Sequence, residues 1–481
     1  MMDFRPIGYV IGLLVAVLGA TMLIPFVIDL YDGQGHWRVF LQSSVITVLC
    51  GGLIALASSN GVKEGLTIQQ TFLLTTGVWL ALPIFGALPF VLGATGASFT
   101  DAFFEAMSGL TTTGSTVVSD LEQQPRGLLI WRALLQWLGG IGIIVVAMVF
   151  LPELRVGGMQ IFRSEGFDTM GKILPRATEI SSRISVIYVA LTVMCTIAYI
   201  IAGMSGFDAI SHAMTTIATG GFANYDASIG AFGPAVEYVA VVFMLLAALP
   251  FVRFVQLLAG SAKPLLHDSQ IRVFFLTAAV LVQVVAVWQW TRADAIEEPF
   301  RKVLFNVVSI LTGTGYASSD YMAWGSFPVV LFFFIGLIGG CAGSTACSIK
   351  IFRYQLLFAT ISAQIKRIHS PHGVFAPRYQ GRTISDDVMG SVMSFFAYFI
   401  VTLGLLAVAL SLTGLDFVTS ISGASAALAN IGPGLGEIIG PAGNYAEINP
   451  VAKWVLIAGM LIGRLEILAV FVIFTAKFWR I

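Results

Sequence analysis

The chain has 481 residues, of which 57% are hydrophobic and 11% charged, and its 26 Lys and Arg balance 26 Asp and Glu to a formal net charge of zero. Soluble domains carry about 25% charged residues, so this composition excludes an ordinary soluble fold, and the balanced charge leaves no case for nucleic acid. Cys50, Cys195, Cys341 and Cys347 stand singly in apolar or small-residue sequence, which argues against zinc or redox chemistry and for small apolar filling of helices.

Apolar stretches of membrane-crossing length lie at 7–29, 38–58, 70–92, 128–151, 184–203, 234–258, 272–291, 326–358, 388–412 and 449–478, ten in all. Each is near the roughly 20 residues that a helix needs to cross a bilayer. The first has too long an apolar run and no clear small-x-small cleavage site, so it is expected to be a retained span rather than a signal peptide. An even number of spans puts both termini on one side. One set of connections holds fourteen basic residues, among them Arg155, Arg163, Lys172, Arg183, Lys366 and Arg367, against seven on the other, namely Arg38, Arg126, Arg132, Arg292, Arg301, Lys302 and Lys453. The bias predicts cytoplasmic termini in a multi-pass protein of a bacterial cytoplasmic (inner) membrane. Two stretches are unusual: 326–358 contains the small-residue run GGCAGSTACSIK, and 449–478 contains Arg464 and Glu466. So many Gly and Ser predict a break in the helix.

Four of the outward connections repeat a pattern: DAFFEAMSGLTTTGSTV from Asp101, DAISHAMTTIATGGFAN from Asp208, PFRKVLFNVVSILTGTGYAS from Pro299 and DFVTSISGASAALANIGPGLG from Asp416. Each reads as a half-length helix followed by a polar, glycine-centred segment. The first two align without a gap from Asp101 to Gly114 and from Asp208 to Gly221, and the second and third share Gly-aromatic-Ala at Gly221-Phe222-Ala223 and Gly315-Tyr316-Ala317. The fold class expected is therefore all-α and polytopic. It comprises four parallel M1–pore helix–M2 repeats around a pseudo-fourfold pore, preceded by two N-terminal transmembrane helices. The boundaries are 1–65 for the N-terminal pair, then 66–160, 161–265, 266–365 and 366–481 for the repeats. Parallel repetition around an axis is channel architecture, whereas inverted repeats mark many secondary transporters.

Asp101, Asp208 and Asp416 are the expected N-caps of the short helices, with Glu298-Pro299 opening the third. Helices entering from outside aim their partially negative C-terminal ends at the membrane centre, which favours a cation there. Replacing a cation's hydration shell with backbone carbonyls requires a chain that turns freely, as glycine does. The candidate filter residues are Thr112, Thr113, Gly114, Gly220, Gly221, Thr314, Gly315, Asn430, Ile431 and Gly432. His212, inside the second short helix, is expected to pack rather than to sense pH.

At these strings, together with GGCAGSTACSIKIFR at 339–353 and GRLEIL at 463–468, the sequence resembles the TrkH/TrkG/KtrB superfamily of potassium transporters, and its TrkH branch in particular. The resemblance covers essentially the whole chain. It implies potassium bound at the filter residues and a homodimer in the bilayer. It also implies a cytoplasmic TrkA-type regulatory subunit that carries the nucleotide site, since the chain itself has no Rossmann fingerprint. In related plant transporters, serine in the first filter loop accompanies sodium permeation; Gly114 stands there in this chain. The resemblance further implies that 339–350 forms an intramembrane gating loop, with Gly339, Gly340, Gly343, Ser344, Lys350 and Arg464 as gate residues. Cys347-Ser348 departs from the Gly-Gly common in the family at that place.

A charge retained at mid-membrane costs about 2.5–3.5 kcal/mol on insertion scales and so needs a partner or a function. Pairing of Arg464 with Glu466 and snorkelling of Lys350 are the structural alternatives to gating. A symporter coupled to sodium or protons is the alternative to a channel. The absence of His-Glu-x-x-His and Gly-x-Ser-x-Gly from the sequence argues against an enzyme. The long basic connections 152–183 and 359–387 are the expected docking regions for the regulatory partner.

Overall fold

The computed structural model describes residues 2–33, 35–61, 66–146, 159, 177–291 and 298–480. Seven helices in it are long and apolar enough to cross a bilayer: Arg5–Tyr31, Trp37–Ser58, Ile68–Leu92, Arg126–Val145, Ser181–Ile201, Ser269–Trp290 and Asp386–Ser411. Six of these bury only 28–39% of their apolar window, whereas Arg126–Val145 buries 72%. The six present apolar faces outward, as a lipid solvent requires, and the seventh runs through the interior. The exposed Leu53, Leu56, Leu276, Ile400 and Leu405 belong to this outer face.

The other three expected spans are broken. The stretch expected as one span at 234–258 is two helices, Pro234–Ala247 and Phe251–Leu258, bent by 88°. Pro250 has no amide proton to continue the ladder, and the carbonyls of Ala247 and Ala248 are taken instead by the amides of Thr345 and Cys341. The stretch 326–358 divides, as its small residues predict, into Ser326–Leu337, a loop, and Ile351–His369. The last divides into Pro450–Arg464, Leu468–Ile473 and Ala476–Trp479, with Glu466 and Ile467 both at positive φ in the first break.

Four units share one order of elements: an approach helix, a short helix, an extended loop and a returning helix. The short helices are Phe99–Leu110, Gly206–Ile217, Pro299–Leu311 and Phe417–Ala429. The returning helices are Arg126–Val145, Pro234–Ala247, Ser326–Leu337 and Pro450–Arg464. Each returning helix packs on the short helix of the next unit, and Pro450–Arg464 packs on Phe99–Leu110, so the contacts close a ring. The cores straddle the unit boundaries: Phe104 and Met107 of the first unit pack with Leu428, Leu456 and Met460 of the fourth. Burying apolar side chains between units rather than within each one holds the loops at the centre. On the opposite side from these loops, a two-stranded hairpin pairs Arg378–Tyr379 with Arg382–Thr383.

Candidate functional site

Three of the four short helices start with side-chain caps, though two of them start three residues earlier than the aspartates predicted. Ser98 and Ser205 are the N-caps, accepting from the amides of Asp101 at 3.2 Å and Asp208 at 3.1 Å. The two serine hydroxyls donate back to those carboxylates at 2.7 and 2.8 Å. The aspartates therefore sit at the third helical position, where a carboxylate still complements the helix dipole. Asp416 caps the fourth helix as expected, and Glu298 precedes Pro299 at the third.

All four short helices end in the same way. Thr112, Thr219, Gly313 and Asn430 take left-handed backbone, with φ of 51, 48, 73 and 51°. Their amides return to the carbonyls of Gly109, Thr216, Ile310 and Ala427, and the next amides, of Thr113, Gly220, Thr314 and Ile431, return to Ser108, Thr215, Ser309 and Ala426. This double closure is a Schellman motif. It turns the chain sharply at the end of each helix and leads into Gly114, Gly221, Gly315 and Gly432, which are again left-handed at φ 89, 77, 81 and 101°.

These four glycines interlock. A Cβ on Gly114 would fall on the carbonyl oxygen of Gly220, one on Gly221 on that of Thr314, and one on Gly315 on that of Ile431; one on Gly432 would lie 2.8 Å from that of Thr113. Each glycine thus abuts the residue before the glycine of the next unit, and the sequence of contacts returns to its start. No side chain fits at any of the four, for sterics as well as for φ. On one side of the ring, an open cavity is lined by all four glycines, with Ser115, Thr116, Asp226, Asn444 and Tyr445.

Buried polar contacts hold the corners. The Arg132 guanidinium donates to Glu105 at 2.8 Å, to the Ala223 carbonyl at 2.7 Å and to Thr116 at 3.1 Å, and lies over the Phe222 ring. Lys453 reaches Asp101 at 2.5 Å, and Lys302 reaches Glu237 at 2.8 Å and the Ser318 carbonyl at 2.9 Å. Arg132, Lys302 and Lys453, read from sequence as outward loop charges, are thus cross-braces between units; a charge buried at this depth requires such a partner. Tyr445 and Ser115 both donate to the Gly432 carbonyl at 2.8 Å. Sequence reasoning missed these braces because their partners lie far along the chain, Glu105 in the same unit as Arg132 but Ala223, Glu237 and Asp101 in a different unit from the residue that binds them; the one available signal was Arg132 and Gln136 inside an apolar run. His212 packs as expected: it is fully buried, with Nδ1 2.8 Å from the Asp208 carbonyl and its ring edge-on to Phe232.

The residues expected at the gate lie on the other side of the glycine ring from the cavity that the four glycines line. Between Ser326–Leu337 and Ile351–His369 the chain leaves and rejoins at a single bridge, Ile338 with Ile349, supported by Gly339 N to Ile349 O at 2.9 Å. The loop so closed holds Gly339, Gly340, Gly343 and Ser344, and Lys350 follows it, its ammonium on the Ala346 carbonyl. It contacts the other three units. Cys347 Sγ lies 3.9 Å from Thr112 Oγ1, Thr345 and Cys341 bond to Ala247 and Ala248, and Ser348 N donates to the Ala429 carbonyl at 3.1 Å. Arg464, 3% exposed, does not pair with Glu466, which is bound instead by Arg353. It donates to Cys347 Sγ at 2.6 Å and to the Gly139 carbonyl at 3.1 Å, while its Nε has no partner among the described residues. A second cavity below is lined by Ser344, Cys347, Lys350, Asn430, Arg464 and Glu466. No group of three or more His, Cys, Asp or Glu suited to a metal occurs among the described residues.

The docking region expected at 152–183 lies, apart from 159 and 177–183, outside the described residues. Residues 36–481 match the family model described as TrkH, cation transport protein. The chain is 43% identical to the Trk system potassium uptake protein TrkI of Halomonas elongata, over 99% of this chain and 97% of that one. It is 37% identical to the Trk system potassium uptake protein TrkH of Escherichia coli over the full length of both. Its fold superposes on the crystal structure of the potassium transporter TrkH from Vibrio parahaemolyticus with a TM-score of 0.91, at 34% identity and full coverage of both chains. Full-length matches in both sequence and fold have one meaning: the chain belongs to the TrkH family of cation transport proteins.

Proposed function

We propose that this protein takes up potassium across a bacterial cytoplasmic membrane through a channel-like pore. The observation that carries the reading is the closed ring of Gly114, Gly221, Gly315 and Gly432, with one cavity outside it and another inside. The four short helices end at this ring, so their carbonyl-rich termini stabilise a dehydrated cation there. Thr112, Thr113, Gly220, Thr314, Asn430 and Ile431 complete the potassium site, and the chain divides into the N-terminal pair and four pore repeats set out above. Similarity to proteins named for potassium uptake supplies the identity of the ion.

The loop 339–350 is the gate in this reading. It lies in contact with all the other units on the inner side of the ring, and Arg464 adds a positive charge to the path beneath it. Opening moves the loop and separates Cys347 from Arg464. Both termini are cytoplasmic, the working form is a homodimer, and a TrkA-type nucleotide-binding subunit docks on the cytoplasmic face to control the gate.

The test is rubidium-86 uptake into proteoliposomes that hold the purified protein, with potassium and sodium as competitors and Gly315→Ser alongside. Uptake blocked by potassium but not by sodium, and made less selective by the substitution, is the expected result. Uptake that requires an imposed sodium or proton gradient would replace the channel with a symporter.

A further inference from the structure

The four corners carry the same backbone but different braces. In the first, Thr111 Oγ1 and Thr113 Oγ1 are 2.8 Å apart, and in the third Thr312 Oγ1 and Thr314 Oγ1 are 2.8 Å apart. A hydroxyl pair thus ties the helix end to the residue before the glycine. In the fourth, Asn430 donates from Nδ2 to Thr113 Oγ1 at 2.9 Å and to the Met460 carbonyl at 3.0 Å. The second corner has Ala218 and Gly220 where the first has Thr111 and Thr113. It has no hydroxyl pair with which to brace itself.

Gln136, from the returning helix of the first unit, occupies that gap. Its Nε2 donates to the Gly220 carbonyl at 2.6 Å, and its Oε1 accepts from the Phe222 amide at 3.0 Å. The two bonds bracket Gly221. Their sense is fixed, because a carbonyl can only accept and an amide N–H can only donate. Gln136 is fully buried, and a Cβ at Gly220 would fall on its side-chain amide. The missing side chain at Gly220 and the long amide at Gln136 are therefore two halves of one contact. Gly221 in turn packs against the Thr314 carbonyl of the third corner, so a shift of this strand is passed around the ring.

We infer that Gln136 is a positioning residue that sets ion preference by fixing the second filter strand across a unit boundary. The inference rests on the proposed potassium pore. Ion preference depends on the number and placement of carbonyls around the ion, and a strand held from outside keeps that placement only while its clamp is intact.

The test compares the parent with Q136M and Q136E in proteoliposomes, reading rubidium-86 uptake against graded potassium and sodium. Met keeps the length and volume and loses both bonds. Glu keeps the shape and an oxygen for the Phe222 amide, and as the neutral acid it also has a proton for the Gly220 carbonyl, whereas the ionised form sets oxygen against oxygen there. The potassium-over-sodium preference is expected to fall about fivefold or more in Q136M, on the scale of one to two lost hydrogen bonds, and less in Q136E. The maximal uptake rate is expected to change less than the preference. A folded, transporting variant set with the parent's preference overturns the inference, as does a loss of rate with the preference unchanged. Failure of the parent itself to transport a potassium analogue would count against the pore reading instead.

Discussion

Arg464 Nη1 lies 2.6 Å from Cys347 Sγ, joining the last returning helix to the loop beneath the glycine ring. The partner is a thiol rather than a carboxylate, and the guanidinium Nε has no partner among the described residues. In the proposed pore, much of the positive charge is therefore left to act on a passing cation.

That charge should slow cations. A unit charge about 4 Å from a passing cation opposes it by about 4 kcal/mol at an effective dielectric of about 20. Arg464→Ala is expected to raise rubidium uptake severalfold in proteoliposomes, with the size-exclusion profile of the protein unchanged. Deletion of 341–347 should do the same. Parental flux in both would make the arginine and the loop structural.

The glycine ring predicts a steric failure at a single methyl group. At Gly315, φ is 81° and a Cβ would fall on the Ile431 carbonyl, with Pro433 at 2.9 Å. Left-handed backbone alone costs a residue with a Cβ about 1–2 kcal/mol. Gly315→Ala should therefore lower both uptake and potassium preference, measured by sodium competition, whereas Gly233→Ala, with open space at its Cβ, should leave both within error.

The buried ion pair of the first corner predicts a stability effect. Arg132 and Glu105 are both buried, at 1% and 0% exposed. Removing one partner of a buried pair strands the other charge and costs about 3–5 kcal/mol. Arg132→Met should lower the apparent Tm in detergent sharply. The double variant with Glu105→Gln should recover part of the loss, because no charge is then left unpaired.

The caps of the first two short helices predict smaller changes. Ser98→Ala and Ser205→Ala each remove a side-chain acceptor of the first turn, worth about 1 kcal/mol. Each should lower Tm by a small amount measurable by thermal unfolding, and Ser→Asp at either position should cost less than Ser→Ala.

Asp416 predicts a dependence on acid. Hydrogen bonds from Thr419, side chain and amide, with the Val418 amide, hold its carboxyl below the ordinary carboxylate range. Because the folded-state value is depressed, the carboxylate stabilises the fold above the unfolded value of about 3.9, and that contribution is lost as pH falls through the folded one. Thermal stability should therefore decline on acidification below about pH 4, and Asp416→Asn should show a shallower decline over the same range.

Much of this architecture was legible from sequence because its causes are local. Spans follow from runs of apolar residues, and Gly114, Gly221, Gly315 and Gly432 stand out because each ends a helix-length segment. The Gly-rich break at 339–350 was visible for the same reason. The start of a short helix was less legible: Ser98 and Asp101 are both good capping residues, and only the path of the chain decides between them.

The tertiary structure alone decided what each polar side chain does. Arg132 and Lys453 read as outward loop charges until the fold of the first unit brought Glu105 to one and the closing of the ring brought Asp101 to the other. Glu466 is two residues from Arg464, yet the positive φ of Glu466 and Ile467 turns the chain, and Arg353 of another unit takes the carboxylate. Pro250 could have kinked a span gently, but the loop at 341–345 captures the freed carbonyls and holds the bend at 88°. Hydropathy and glycine placement act within a few residues of themselves. Hydrogen-bond partners in a bilayer must be found inside the protein, and which residue supplies them depends on how four separate units meet.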